Sequence, residues 1–269
     1  MDIQIVTAPT VTKLGPEHVD QVLIAGSHGG VYAGYLAAKA GARAIILNDA
    51  GGGLDGAGFA SLPYLDDLGR PGATVAQDSA RIGDGDDMAA RGIISHVNET
   101  AAALGCAVGQ TATACAEAMR AAPSPSGEAP AYEEARFLFS AEGESPAIWG
   151  IDSASLLNPD DVGQIVLTAS HGALLGGEAA SAIKYDVLAC AFNDAGVGIE
   201  NIGFSRLPAL DQRKIAAVTV ACQTARIGDA RSMWQTGIVS HVNQTAAALG
   251  VAVGDSLQEF AKKAQSGES

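Results

Sequence analysis

Three short polar clusters recur in this chain, each carrying side chains able to move a proton or attack a carbonyl. Ser27-His28-Gly29 reappears as Ser170-His171-Gly172, Asn48-Asp49-Ala50-Gly51 as Asn193-Asp194-Ala195-Gly196, and Ser95-His96-Val97-Asn98 as Ser240-His241-Val242-Asn243. Four of the five histidines belong to this pattern, and only His18 stands outside it. In chain order each copy supplies a serine, an aspartate and a histidine: Ser27, Asp49 and His96, then Ser170, Asp194 and His241. Those are the types needed for a nucleophile, an orienting carboxylate and a base. Ala25-Gly26-Ser27-His28-Gly29 and Thr168-Ala169-Ser170-His171-Gly172 also approximate the small-x-Ser-x-Gly turn that exposes a serine oxygen between strand and helix. The leading glycine of that turn is missing, and no loop of the H-G-G-G type supplies an oxyanion site.

Two further chemistries fit the same residues. His28, Asp49 and His96, with His171, Asp194 and His241, match a two-His-one-carboxylate metal site in type and number. Their spacing fits no metal motif such as H-E-x-x-H, so no cofactor is expected and a divalent ion stays an alternative. In general acid–base work, His28 or His96 moves a proton, Asp49 sets its tautomer, and Arg81, with Arg226 in the second copy, holds an anionic substrate. Gly29, Asn48 and Asn98, with Gly172, Asn193 and Asn243, flank these groups and complete the substrate-contact candidates. Each has a plainer structural role to set beside it. The serines and Asn98 are good helix caps, Arg81 and Asp84 can form a buried ion pair, and Asn-Asp-Ala-Gly suits an ordinary turn.

The elements that position these clusters are written twice. Ala73 to Gly109 and Val218 to Gly254 share 24 identities in 37 ungapped positions, so the chain reads as one unit in two editions. Val22 to Gly26 is an apolar run that gives way to a helical pattern closed by Gly41, and Ala44 to Leu47 completes a strand–helix–strand unit. A long glycine-rich loop follows, then a third strand at Ala73 to Ala76, a short helix at Asp86 to Ala90, and a fourth strand from Gly92 ending at His96. Asn98 caps a helix starting at Glu99, and Thr111 to Ala121 forms another. In the second edition, Ile151 to Ser155 aligns with Val6 to Thr10, and the terminal Lys262 to Ser269 reads as frayed.

The expected fold is α/β: two tandem repeats, residues 1–121 and 133–269 about a linker at 122–132, with mostly parallel sheets of four or five strands related by a pseudo-twofold axis. Ligands bind such sheets at the carboxyl ends of the strands, so Ser27, His28, Asp49 and His96 are expected to share one crevice. Gly51 to Gly56 matches G-x-G-x-x-G, but it follows the second strand and leads into no long helix, so a dinucleotide is not expected.

Composition narrows the partners. Thirty acids against 16 bases give a net charge of -14, which opposes broad contact with nucleic acid or an anionic bilayer. No apolar run approaches the length of a membrane span, and the amino terminus lacks the pattern of an export signal. Cys106, Cys115, Cys190 and Cys222 form no C-x-x-C pair, which fits a reducing cytoplasm. The expectation is an enzyme, a homo-oligomer, hydrolysing a small polar, anionic metabolite. A lyase or isomerase using the same His and Asp, and a small-ligand binding protein, are the rivals.

Overall fold

A computed structural model of the chain describes residues 3–267. The first sheet takes β1 (Ile5–Ala8), β2 (Val22–His28), β3 (Ala44–Asn48), β4 (Gly72–Val75) and β5 (Ile94–Val97) in chain order, with α1 (Val31–Lys39), α2 (Ser61–Asp67) and α3 (Gly85–Arg91) in the connections. β1 to β4 run parallel. Their alternation builds two cores: Val22, Ile24, Ala44 and Ile46 face α3 and the later α5 (Ala112–Met119), while Leu23, Ala25, Ile45 and Leu47 face α1 and α2. Val22, Leu23 and Ile24 are fully buried, and each contributes about 1.5–3 kcal/mol.

The second sheet has six strands, one more than expected: β6 (Arg136–Leu138), β7 (Ile148–Ile151), β8 (Ile165–His171), β9 (Ala189–Asn193), β10 (Ala216–Val220) and β11 (Val239–Val242). β7 to β10 are parallel and β6 is an antiparallel addition at the edge. α6 (Arg206–Gln212), α7 (Ala230–Thr236), α8 (Gln244–Ala248) and α9 (Leu257–Ser266) complete this half, while α4 (Glu99–Ala102) follows β5 in the first. Where the first half has α1, the second has only short 3-10 turns at Leu175–Gly177 and Ala179–Ser181.

Four sequence expectations need correcting. β5 and β11 are antiparallel to β4 and β10, because α3 packs on β1 and β2 instead of forming a crossover beyond β4. His96 therefore sits inside a strand opposite Thr74, not at a parallel strand end. Ile151 occupies the place of Ala8, not Val6: Ala8 pairs Ala25 as Ile151 pairs Thr168, and no identity in that stretch reveals the two-residue shift. Lys262 to Ser266 is not frayed but helical, held by a Ser256–Glu259 capping box and by buried Phe260, Ala261 and Ala264; Glu268 and Ser269 lie outside the described residues.

Asn98 caps α4 as the sequence implies, accepting from Ala101 N at 2.9 Å, and it does more. Its Oδ1 also accepts from Gly72 N at 2.9 Å and its Nδ2 donates to Arg70 O at 2.8 Å, so one buried amide ties α4 to β4. Asn243 repeats the set with Ala246, Ala217 and Ile215. Asn98→Ala is expected to cost about 3 kcal/mol, a lost cap plus buried backbone groups left unpaired, read as a lower urea midpoint at unchanged slope.

The two halves meet at the carboxyl ends of their parallel strands, and the contacts there are reciprocal. Leu54 N donates to Cys222 O at 2.8 Å and Ile199 N to Gln77 O at 2.9 Å. A Cβ at Gly51 would stand 2.7 Å from Gly196 Cα, and one at Gly196 2.8 Å from Gly51 Cα, so neither position admits a side chain. Ala50, Ala57, Ile82, Ala173, Ala195 and Ile227 form a small apolar core between the sheets. The Leu54–Cys222 contact thus recurs between their counterparts Ile199 and Gln77, as in an isologous interface.

Candidate functional site

A cavity of about 270 Å³ opens at this junction, and both halves line it. β2 ends in Ser27 and His28, β8 in Ser170 and His171, and all four reach the cavity. Each serine is held by the segment after the preceding strand: Ser27 Oγ accepts from Val11 N at 3.0 Å, and Ser170 Oγ from Ala154 N at 2.9 Å. Each histidine turns back on its own chain, with Nδ1 accepting from Gly30 N at 3.1 Å or Ala173 N at 3.3 Å. Such an acceptor nitrogen carries no proton, which fixes the neutral tautomer protonated at Nε2. Burial lowers the His28 imidazole to about 4; burial, then the charge of Arg206 and the nearby His28, hold His171 well below its usual value. His28 lies beside Gly228 and His171 beside Gly83, so each Ser-His-Gly turn packs on the Ala-Arg-Ile-Gly-Asp segment of the other half.

The remaining candidates are elsewhere. Asp49 Oδ1 accepts from Gly51 N and Gln77 N, both at 3.0 Å, and Asp194 Oδ1 does the same for Gly196 N and Cys222 N, so these carboxylates brace the turns at the junction. His96 stacks on Phe59 with ring centres 4.0 Å apart, its Nδ1 3.1 Å from Ser95 Oγ and 3.3 Å from Thr74 Oγ1. His241 repeats this on Phe204; burial lowers it and the Asp194 carboxylate partly restores it. Neither Asp49 nor His96 lines the cavity, and among the described residues no hydrogen bond links any two of Ser27, Asp49 and His96. The expectation that Ser27, His28, Asp49 and His96 share one crevice is therefore corrected: the antiparallel course of β5 carries His96 away. Among the described residues no three His, Cys, Asp or Glu side chains are placed to hold a metal, so these sets are not assembled as ligands.

The substrate-contact candidates divide as well. Asn48 and Asn193 are fully buried and cap their own turns, accepting from Ala50 N and Ala195 N, and Asn98 and Asn243 are the caps described above. Gly29 and Gly172 allow close approach of the loop, since a Cβ would stand 2.4 Å from Gly58 O or 2.3 Å from Gly203 O. Arg81 is 38% exposed rather than buried and pairs with Asp87 and, across the junction, Glu200; Asp84 instead caps α3. Arg226 bonds Asp55 across the junction and Asp229 in its own half, and it does line the cavity.

Sequence reasoning passed over a strongly perturbed carboxyl in the cavity. Glu134 lies in the segment before β6, with Ser155 Oγ 3.2 Å from its Oε2. Burial pushes its carboxyl up to about 7; bonds from Ser155 and Ser153 oppose this, the Asp152 charge adds to it, and a bond from Tyr32 opposes it again. Tyr32, Tyr132 and Asp152 stand in the same cavity. Asp152 is itself raised by burial, although its oxygens accept from Ala230 N at 2.9 Å and Ala135 N at 2.8 Å. No signal marked Glu134, which stands outside the repeated polar clusters and takes its chemistry from burial.

Comparison with known protein families, curated proteins and solved structures found no match.

Proposed function

We propose that the junction cavity is the active site of an enzyme that transfers protons on a small polar metabolite, with Glu134 giving or taking the proton. The observation that carries this reading is a carboxyl brought to about 7 inside a cavity, where it exchanges a proton at neutral pH. Tyr32 and the Ser153 hydroxyl beside it are positioned to hold polar substrate groups, and neutral His28 offers Nε2–H as a donor. Serine hydrolysis, the first expectation, loses ground to the lyase or isomerase alternative, because Ser27 and Ser170 each hold a backbone N–H and have no imidazole bonded to them. Self-association belongs to the reading too. Exposed Ile93 and Val108 recur as exposed Ile238 and Val253, an apolar pattern kept in both editions. No helix among the described residues is long and apolar enough to cross a membrane, and the four cysteines are free, which supports a reducing compartment.

With a substrate found from a panel of small polar metabolites, Glu134→Gln is expected to lower kcat by on the order of a hundredfold or more and to remove the pH–rate limb near 7. Undiminished turnover by that variant would refute the assignment. A binding protein without turnover is favoured by one observation: the strand-end residues kept in both copies are engaged in holding the halves together. Ligand-induced thermal stabilisation without product would decide for it.

A further inference from the structure

Beside the junction cavity lies a second one of about 310 Å³, which shares Thr10, Thr12, Ser153, Ser170 and His171 with the first. It occupies in the second half the place that α1 borders in the first, but its lining has the opposite character. Lys13, Lys184 and Arg206 line it and no carboxylate does, in a chain where acids outnumber bases 30 to 16.

Arg206 is the unusual group. It is 4% exposed, and its counterpart in the repeat is Ser61, a small residue on which α1 packs closely: a Cβ at Gly34 would stand 2.7 Å from Ser61 Cβ. An arginine leaves no room for that helix, and the second half replaces it with turns whose carbonyls take up the guanidinium. Nε donates to Ala173 O at 2.9 Å, and Nη1 to Ser181 O at 3.0 Å and Ala182 O at 2.6 Å. The guanidinium also lies over the Phe192 ring. No carboxylate bonds it among the described residues, and no protein acceptor takes Nη2. Burial without a counter-charge lowers Arg206 to about 10. A buried cation lacking an anion is costly, and Lys13 and Lys184, both exposed and without an ion pair among the described residues, stand at the same cavity.

We propose that this cavity binds a phosphate or carboxylate group, recognised by Arg206 from within and by Lys13 and Lys184 from the rim. A planar guanidinium with a free N–H edge suits such oxyanions, and the Thr10 and Thr12 hydroxyls add donors. Because this cavity adjoins that of Glu134, the anion is the charged end of the metabolite that reacts there. That last step rests on the proton-transfer reading; anion binding does not.

The test is calorimetric titration of the full chain, at constant ionic strength in chloride, with inorganic phosphate, acetate and glycerol phosphate. Saturable binding of at least one is expected, weakened at least tenfold by Lys13→Gln with Lys184→Gln, whose side chains are exposed and whose loss leaves the fold intact. Arg206→Lys, which keeps the charge but loses the fork, is expected to weaken it too. Glu134→Gln should bind inorganic phosphate as the unaltered chain does, which separates this site from the catalytic reading. Tighter binding of glycerol phosphate than of inorganic phosphate supports an anion carried by a larger ligand; equal binding supports a free anion and overturns the link to the substrate. Absence of saturable binding for all three anions, or binding indifferent to the paired lysine change, overturns the site.

Discussion

Gly58→Ala and Gly203→Ala are expected to lower the thermal midpoint by about 10 °C each, through a single methyl group. A Cβ at Gly58 would stand 1.8 Å from the Asp49 carbonyl oxygen, and one at Gly203 1.9 Å from that of Asp194. Neither carbonyl can retreat, because each belongs to a turn braced by its own aspartate and pressed against the other half. The loop must move instead, withdrawing Phe59 or Phe204 from its histidine and opening the junction core. Such a displacement costs about 4 kcal/mol or more, and each kcal/mol in a chain of this size is worth about 2–4 °C. Gly69→Ala is the control: that residue has φ of +61° but nothing within 4 Å, so only the backbone cost of about 1–2 kcal/mol applies. Equal melting of Gly58→Ala and Gly69→Ala, followed by circular dichroism, would show that the close approach does not exist.

Stability should fall on mild acidification, chiefly through His28 and His171. Both imidazoles titrate near 6.5 in the unfolded chain, whereas burial takes His28 to about 4 and His171 well below 6.5. The unfolded chain binds protons that the folded one refuses, so their contribution is complete above pH 6.5 and is lost as pH falls towards 4. Between pH 7 and pH 5 the His28 imidazole accounts for about 2 kcal/mol, and His171 acts in the same direction. Glu134 acts the other way: raised from 4.5 to about 7, it favours the folded chain at low pH and loses that effect as pH rises through this window. Glu134 offsets about what His28 loses, so the net fall is the part due to His171. Urea unfolding at pH 7 and pH 5 should show the loss, and His28→Asn with His171→Asn, which still accept a backbone N–H, should abolish it. A chain equally stable at both pH values would contradict the neutral, buried assignment.

The parallel strands, the Asn98 cap and the position of Ser27 and His28 were legible because each depends on local pattern: apolar runs, a cap residue, a polar turn at a strand end. Strand direction is not local. Residues 92–97 have the composition of a strand in either orientation, and the return of β5 is decided by where α3 packs. The expectation that His96 joins Ser27 rests on that direction, whereas Asp49 follows the parallel β3 and is kept from Ser27 by the turn its carboxylate braces. α9 was readable, since Ser256 and Glu259 have capping-box spacing before Phe260. Phe59 and Phe204 were readable as well, being repeated 145 residues apart opposite His96 and His241. Glu134 was not, because its chemistry comes from burial beneath Tyr32 and beside Asp152, which no spacing encodes. The clusters repeated in both halves include the residues that hold the halves together, which accounts for much of what was kept.

The order of strands bears on how the chain reaches this state during synthesis. In both sheets every hydrogen-bonded neighbour is also the next strand in sequence. No strand waits for a distant partner, so each ring to be closed is short and its entropy cost modest. A chain leaving the ribosome amino end first can add β1 to β5 one at a time and cover both faces once α5 has emerged. The joining of halves is the one step that must wait for β8 to β10. Until then the small apolar junction residues of the first half stay uncovered, which makes that interval the one in which a half-made chain is exposed to pairing with another of its kind.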